Sequence, residues 1–514
     1  MESVAVVGGG HNGLVAACYL AQAGLQVTVL ERRTVFGGLA CAEELFPGCR
    51  VSSLANRSGM LRRSIIRDLN LERHGFEIFR PVFASHIISN GDAFTFSNGT
   101  QGDGHTFRVS GLTNADLEEW HSFWGEIEAA GAILASGIAA IGYSQARFKE
   151  ELDGKGHSLL AKAIFQESLY DYAKERISHP SLLSAILTMS GSHPFGPSSL
   201  FEVIYYCTAE SFGEPAAWGY VRGGMGALID ALLAELQRLG VTLIRGQEVT
   251  RVKGGDQAIV VMSNGDEHKF GRVVLATDPV TAYGHLLCEH DDEISSSLSE
   301  RLNSKEAESA YGMLHLKLHT LPNFPVLADI GRSGSDLYSG AFDFSLTPEK
   351  LAERYEASRR GELLILPNLS CNVFSSIDDS VTGGNGHVMS VLIQACDAKL
   401  RGAHAKRALY DECLATLTQW SPGLSDIIED YRLITPEEIE NVYGVRSGCC
   451  LHLRSSASSA LDARPFPEVA GYRTPIRSVY LTGAGSYPGG CVSGAPGQFC
   501  AQQLIRERGE DPWK

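Results

Sequence analysis

Apolar or alternating runs predict strands at Val4–Gly8, Val27–Glu31, Val241–Arg245, Ala258–Ser263, Val273–Ala276 and Val479–Thr482. They fall at both ends and in the middle of the chain. Stretches rich in Leu, Ala, Glu and Tyr predict helices between them, notably over Asp116–Ala146 and Leu159–Arg176, and a mixed region runs from Glu308 to about Tyr443. Strands so dispersed predict an α/β domain assembled from discontinuous segments, 1–110, 225–307 and 440–514, with an α+β substrate or cap domain inserted twice, as 111–224 and 308–439. One uncharged stretch, AAGAILASGIAAIGYSQA over Ala129–Ala146, approaches spanning length, but its glycine, serine and glutamine suit a buried or lipid-touching helix better than a membrane span.

The first strand runs into VGGGHNGLVAACYLAQAG, where Gly8, Gly10 and Gly13 are spaced as G-x-G-x-x-G and His11 and Asn12 fill the variable positions. The first glycine permits a tight turn, the second lets backbone approach a pyrophosphate, and the third allows close packing of helix on strand. A helix starting here presents free N–H groups and a favourable dipole to an anion. Glu31 closes the next strand, where a carboxylate can accept from ribose hydroxyls. This unit reads as a dinucleotide site and leaves FAD and NAD open. Two further features favour a long ligand. ERRTVFGGLA brings Arg32, Arg33, the doublet Gly37-Gly38 and Leu39 close behind the acid, and VYLTGAGSYPGGCVSGAPGQFCAQQLI supplies a distant second strand, glycine-rich loop and helix start. The far half of an extended ligand also needs backbone without side-chain clash.

Charge and cysteines narrow the function. A formal charge of −16 over 514 residues offers no basic stripe to release counterions, so nucleic acid is not an expected partner. The 12 cysteines are irregularly spaced, with no C-x-x-C pair and no H-E-x-x-H, which predicts reduced thiols in an intracellular protein and no metal or dithiol site. A strand beginning at Val4 leaves no room for a secretory signal, so the expected location is cytoplasmic, with any membrane contact peripheral and apolar.

Together VVGGGHNGLVAACYL, ERRTVFGGLA, AWGYVRGGMGALIDAL and YRTPIRSVYLTGAGSYPGGCVSGAPG resemble the phytoene desaturase-related FAD oxidoreductases, and among these the group called pyridine nucleotide-disulphide oxidoreductase domain-containing protein 2. The resemblance implies FAD as cofactor and a Rossmann-like FAD-binding domain. It also implies Gly8, Gly10 and Gly13 at the pyrophosphate, Glu31 at the adenosine ribose, and Arg33 with Gly37-Gly38 along ribose and diphosphate. The backbone of Val249 would face adenine, while Gly485, Ser486, Val492 and Ala495 would lie near the ribityl chain and flavin ring. A helix starting near Ala495 would direct its positive end at the flavin and favour the reduced, anionic ring.

The activity so implied is transfer of a hydride from a C–H bond of an apolar small molecule to flavin, with oxygen or a quinone as electron acceptor. No proton acceptor stands out; His193 and His452 are candidates that could equally be structural. Phe201, Tyr205, Tyr206, Phe212, Trp218 and Tyr220 cluster before the block that returns the chain to the nucleotide domain. They are core residues or a pocket wall, from which Tyr205, Tyr206 and Trp218 are taken with Arg222 as pocket candidates, Arg222 serving as polar anchor or as half of an ion pair. A flavin amine oxidase is the rival activity. Such enzymes carry an aromatic residue where this chain has Cys491, a departure that weakens the amine reading and leaves Cys491 as a space-making residue or a covalent attachment point. A flavin-stabilised binding protein without turnover is the third alternative.

Overall fold

The computed structural model describes residues 2–80, 83–97, 106–191, 194–197, 199–213, 216–287, 310–328, 338, 340–360, 362, 367–453, 459–469 and 471–509. The chain opens as strand β1 (Ser3–Val7), helix α1 (His11–Gln22) and strand β2 (Gln26–Glu31). These join Thr242–Arg245, Arg272–Ala276 and Val479–Thr482 in one parallel sheet, in the order Thr242–Arg245, β2, β1, Arg272–Ala276, Val479–Thr482. Central strands of such a sheet are covered on both faces, hence the unbroken apolar run of β1. Helix α1 packs against the last helix, Ala495–Glu507, so tightly that a Cβ at Gly497 would overlap the carbonyl of Asn12. The discontinuous assembly expected from the pattern is therefore present, and an antiparallel sheet of Val249–Lys253, Ala258–Met262 and Glu267–Phe270 is appended to it.

A second sheet of eight strands runs in the order Ile428–Ile434, Ala310–Leu318, His387–Cys396, Asn368–Asn372, Phe342–Ser345, Phe83–Ile88, Ala93–Ser97, Thr106–Arg108. The domain boundary at residue 110 is thus corrected. Phe83–Ile88 pairs in parallel with Phe342–Ser345, so the segment to Arg108 belongs to the inserted unit's sheet, drawn there by pairing across more than two hundred residues of sequence. The back of this sheet is a core of Leu314, Leu316, Phe342, Phe344, Val391 and Ile393, against which Leu409, Cys413 and Leu417 of the helix Gly402–Trp420 pack.

The long helix expected over Asp116–Ala146 is two. The first, Asn114–Gly137, starts at a capping box between Thr113 and Asp116. It stops where a Cβ on Gly137 would overlap the Tyr143 ring, and Gln145–Gly154 begins at Ser144, whose hydroxyl accepts from the Arg147 N–H. Likewise Leu159–Arg176 divides into Ser158–Ala163 and Leu169–Lys174, the second capped by Ser168. Among the described residues no helix is long and apolar enough to cross a membrane.

Candidate active site

One cavity of about 900 Å³ runs from the first glycine loop to the second sheet. Gly8, Gly10, His11, Asn12 and Gly13 line its start, Glu31, Arg32, Arg33, Gly38, Leu39 and Val249 one end, and Tyr206, Trp218 and Val492 are among the residues of the other. Most of the residues picked out from the motifs thus converge on one space.

The three motif glycines do different work. A Cβ at Gly8 would overlap the Ala276 carbonyl, and one at Gly13 would overlap the Gly8 carbonyl and sit 2.9 Å from Ala276 Cβ. Both are required by packing. A Cβ at Gly10 would meet nothing closer than Gly38 Cα at 4.0 Å. The open space over Gly10 leaves room for a ligand, at the N-cap of a helix with no side-chain cap to take its first N–H groups. Gly37 donates its N–H to the Gly9 carbonyl at 2.7 Å with φ of 116°, a conformation that needs glycine, and so holds the second glycine pair against the first loop.

Glu31 is buried. Its Oε2 accepts from the Gly9 N–H and its Oε1 from the Arg33 N–H, both at 2.8 Å, so one carboxylate braces the glycine loop and the turn after β2 and still has lone pairs for ribose hydroxyls. Arg33 stacks 4.4 Å from the Tyr443 ring centroid and donates to Glu43 at 2.7 Å. Burial opposes ionisation of Glu43, but Arg33, Ser53 and Tyr443 outweigh it and hold the carboxyl below the usual range. Arg32 donates to the carbonyls of Asn441 and Val442. Glu31→Gln should weaken FAD binding by about tenfold, since the amide replaces one acceptor by a donor facing backbone N–H groups; a fluorescence titration of apoprotein with FAD measures this.

At the opposite end the second glycine loop lies one step from where the motif puts it. Gly483 and Ala484 line the cavity, whereas Gly485 packs against Pro279 and Ser486 is buried behind. Ala495 opens the last helix as predicted, yet is buried beyond the lining. The loop is fixed by the fully buried Arg464, which donates to the carbonyls of Ala484, Ser459, Leu451 and Leu453 at 2.6–3.0 Å. Burial draws its guanidinium down to about 10, still charged at neutral pH.

Two pocket candidates fall outside the cavity. Arg222 is half exposed and bonded to Glu77 at 2.6 Å, the ion-pair alternative rather than a polar anchor. Tyr205 is buried with its hydroxyl on the Gly490 carbonyl at 3.2 Å, part of the support behind the second loop. Tyr206 and Trp218 do line the cavity and meet edge to face at 6.1 Å. The Tyr206 hydroxyl donates to buried Glu202 at 2.6 Å, and a Cβ on Gly191 would stand 2.5 Å from the Tyr311 hydroxyl and 2.8 Å from that of Tyr206. Burial, then Glu202, raises the Tyr206 phenol far above its ordinary value.

His452 lines the cavity with Nδ1 unpartnered, and burial lowers it to about 4, as it does His11, whose Nε2 also lacks a partner. Both are neutral at pH 7. His193 lies outside the described residues. Burial, then Glu202, pushes the Cys491 thiol up to about 12, so it is a protonated, poorly nucleophilic group in the wall. Motif reading missed Asn56, Arg57, Tyr311, Asp343, Ser370, Leu392 and Gln394, all of which line the cavity. For Asp343 and Ser370 the one legible signal is the alternation of polar and apolar residues in FDFS and NLSCN.

The cavity fits FAD: a cradle open at Gly10, a buried acid and stacked arginine at one end, and a second glycine loop at the other. Residues 13–316 match the family described as flavin containing amine oxidoreductase. The chain is 25% identical to pyridine nucleotide-disulfide oxidoreductase domain-containing protein 2 of Rattus norvegicus, over 98% of this chain and 93% of that one. It is 22% identical to phytoene desaturase (lycopene-forming) of Pantoea ananas, over 97% of each. The structure of cyclohexylamine oxidase from Brevibacterium oxydans has the same fold, with TM-score 0.61 and 15% identity, covering 99% of this chain and 100% of that one. The resemblance seen in the motifs and the FAD-binding α/β fold agree with these findings.

Proposed function

The chain belongs to the flavin-containing amine oxidoreductase family and is an FAD-dependent oxidoreductase, and we propose that it dehydrogenates a lipophilic small molecule at a C–H bond. The supporting observation is the continuity of one cavity between the nucleotide cradle and a wall of Met189, Tyr206, Trp218, Tyr311 and Leu392. When bound, FAD accepts the hydride. The residues of the chain hold the substrate, exclude water and take up the accompanying proton.

A proton leaving substrate carbon can be received by the Tyr206 oxygen as that phenol gives its own proton to Glu202 along their 2.6 Å bond. The phenol ends neutral, which its buried setting requires, and the charge change is carried by Glu202. His452, lowered to about 4 by burial, borders the same cavity as a neutral imidazole. Tyr206→Phe should leave FAD content unchanged and slow anaerobic flavin reduction by about a hundredfold, read by stopped-flow absorbance.

The amine oxidase and scaffold alternatives make different predictions in one experiment. Oxidised holoprotein is mixed anaerobically with cyclohexylamine, with putrescine and with an organic-solvent extract of the cells that make the protein. Bleaching by the extract alone supports the proposal; bleaching by the amines replaces it with amine oxidation, and bleaching by none supports the scaffold.

A further inference from the structure

The strands Phe342–Ser345 and Asn368–Asn372 are buried at every position, yet alternate between apolar and polar residues. Phe342, Phe344, Leu369 and Cys371 enter the core behind the sheet. The opposite face carries Asp343 and Ser370, which are register partners, flanked by Asn368 and Asn372. Both amide atoms of Asn372, Oδ1 of Asn368 and Nε of Arg57 are buried without hydrogen-bond partners. Asp343, Ser370, Gln394 and Arg57 reach the cavity wall. Asn368 and Asn372 lie behind the lining, but a chamber for hydrocarbon alone would leave Nε of the lining residue Arg57 unsatisfied beside Asp343.

The charges in this corner define what suits it. Arg57 stands 3.9 Å from Asp343, and Ser370 lies between them, its hydroxyl accepting from Arg57 and donating to Asp343 Oδ1. Among the described residues Asp343 Oδ2 has no hydrogen bond, and Arg57 retains guanidinium N–H groups beyond the one on Ser370. A carboxylate ligand would meet Asp343 and an ammonium ligand would meet Arg57. A hydroxyl accepts from the one and donates to the other, as Ser370 already does.

We propose that the substrate is an uncharged apolar molecule carrying a hydroxyl group, which Arg57 and Asp343 read together at the sheet end of the cavity while the hydrocarbon lies along Trp218 and Leu392. This rests on the reading of the cavity as the substrate chamber of the flavin and adds to it a specificity site.

The test is calorimetric titration of the FAD-loaded protein with octan-1-ol, its isosteric ether 1-methoxyheptane, octanoate and octylammonium. Octan-1-ol should bind about tenfold more tightly than the ether, which cannot donate to Asp343, and both ions should bind more weakly than the alcohol. Asp343→Asn should shrink the alcohol-to-ether ratio and improve octanoate. An ether as good as the alcohol, a preference for either ion, or heat from none of the four overturns the proposal, and the wild-type series alone decides this if the variant does not fold. Protein that fails to take up FAD yet keeps the alcohol preference would support the hydroxyl site while overturning the flavoenzyme reading; stoichiometric FAD with no alcohol preference would do the reverse.

Discussion

Gly13→Val should purify without flavin, at less than about a tenth of the wild-type FAD content, because branched carbon at this position overpacks the first turn of the nucleotide domain. The first added atom already overlaps the Gly8 carbonyl and lies 2.9 Å from Ala276 Cβ in the adjacent central strand. Neither neighbour yields easily: one is backbone of the glycine loop, the other is the Cβ of a residue held in register with Thr482 at the end of a central strand. The loop must move, and with it the N-terminus of α1 and the bond from the Gly9 N–H to Glu31. Gly10→Ala is the informative companion. Its methyl has no protein atom closer than 4.0 Å, so the apoprotein should melt like wild type while binding FAD more weakly. The pair separates a packing glycine from a ligand-facing one, by thermal melts of apoprotein and FAD titration.

Arg464→Met should cost about 4 kcal/mol of stability, a large part of what a folded chain has. The methionine fills similar volume, but the carbonyls of Ala484, Ser459, Leu451 and Leu453 lose their donor where water does not reach. Leu451 and Ala484 both border the cavity, so local loosening should also appear as FAD released on dilution at temperatures where the protein is still folded. Chemical unfolding gives the first quantity from the midpoint shift at unchanged slope, and flavin fluorescence the second. Unchanged stability would mean that ordered solvent replaces the guanidinium.

The nucleotide half of the molecule was legible because its chemistry is local. Strand, glycine turn, helix and acid follow one another within Val4–Glu31, so the motif is readable even though Gly8 and Gly13 also pack against the distant Ala276. The strand boundaries accordingly fall within about two residues of those read from apolar runs. The substrate half was not legible, because its residues act across great separations. Asp343 is set beside Arg57 by pairing of Phe342–Ser345 with Phe83–Ile88 and Asn368–Asn372. Even there a trace existed: period-2 alternation in strands that tertiary structure buries completely marks a face turned to something polar. Arg222 shows the converse, since proximity in sequence to the aromatic cluster placed it in a pocket that its bond to Glu77 takes it away from.

The central claim is that one cavity holds an extended FAD, gripped at its adenosine end by Glu31, Arg33 and Val249 and at its flavin end by the Gly483 loop. Titration of apoprotein with FAD and with FMN tests it most directly, because FMN keeps the flavin end and lacks the adenosine end. Saturation at one FAD per chain, with FMN bound at least about a hundredfold more weakly, is the predicted result. Equal affinity for the two flavins, or no uptake of either, would contradict it.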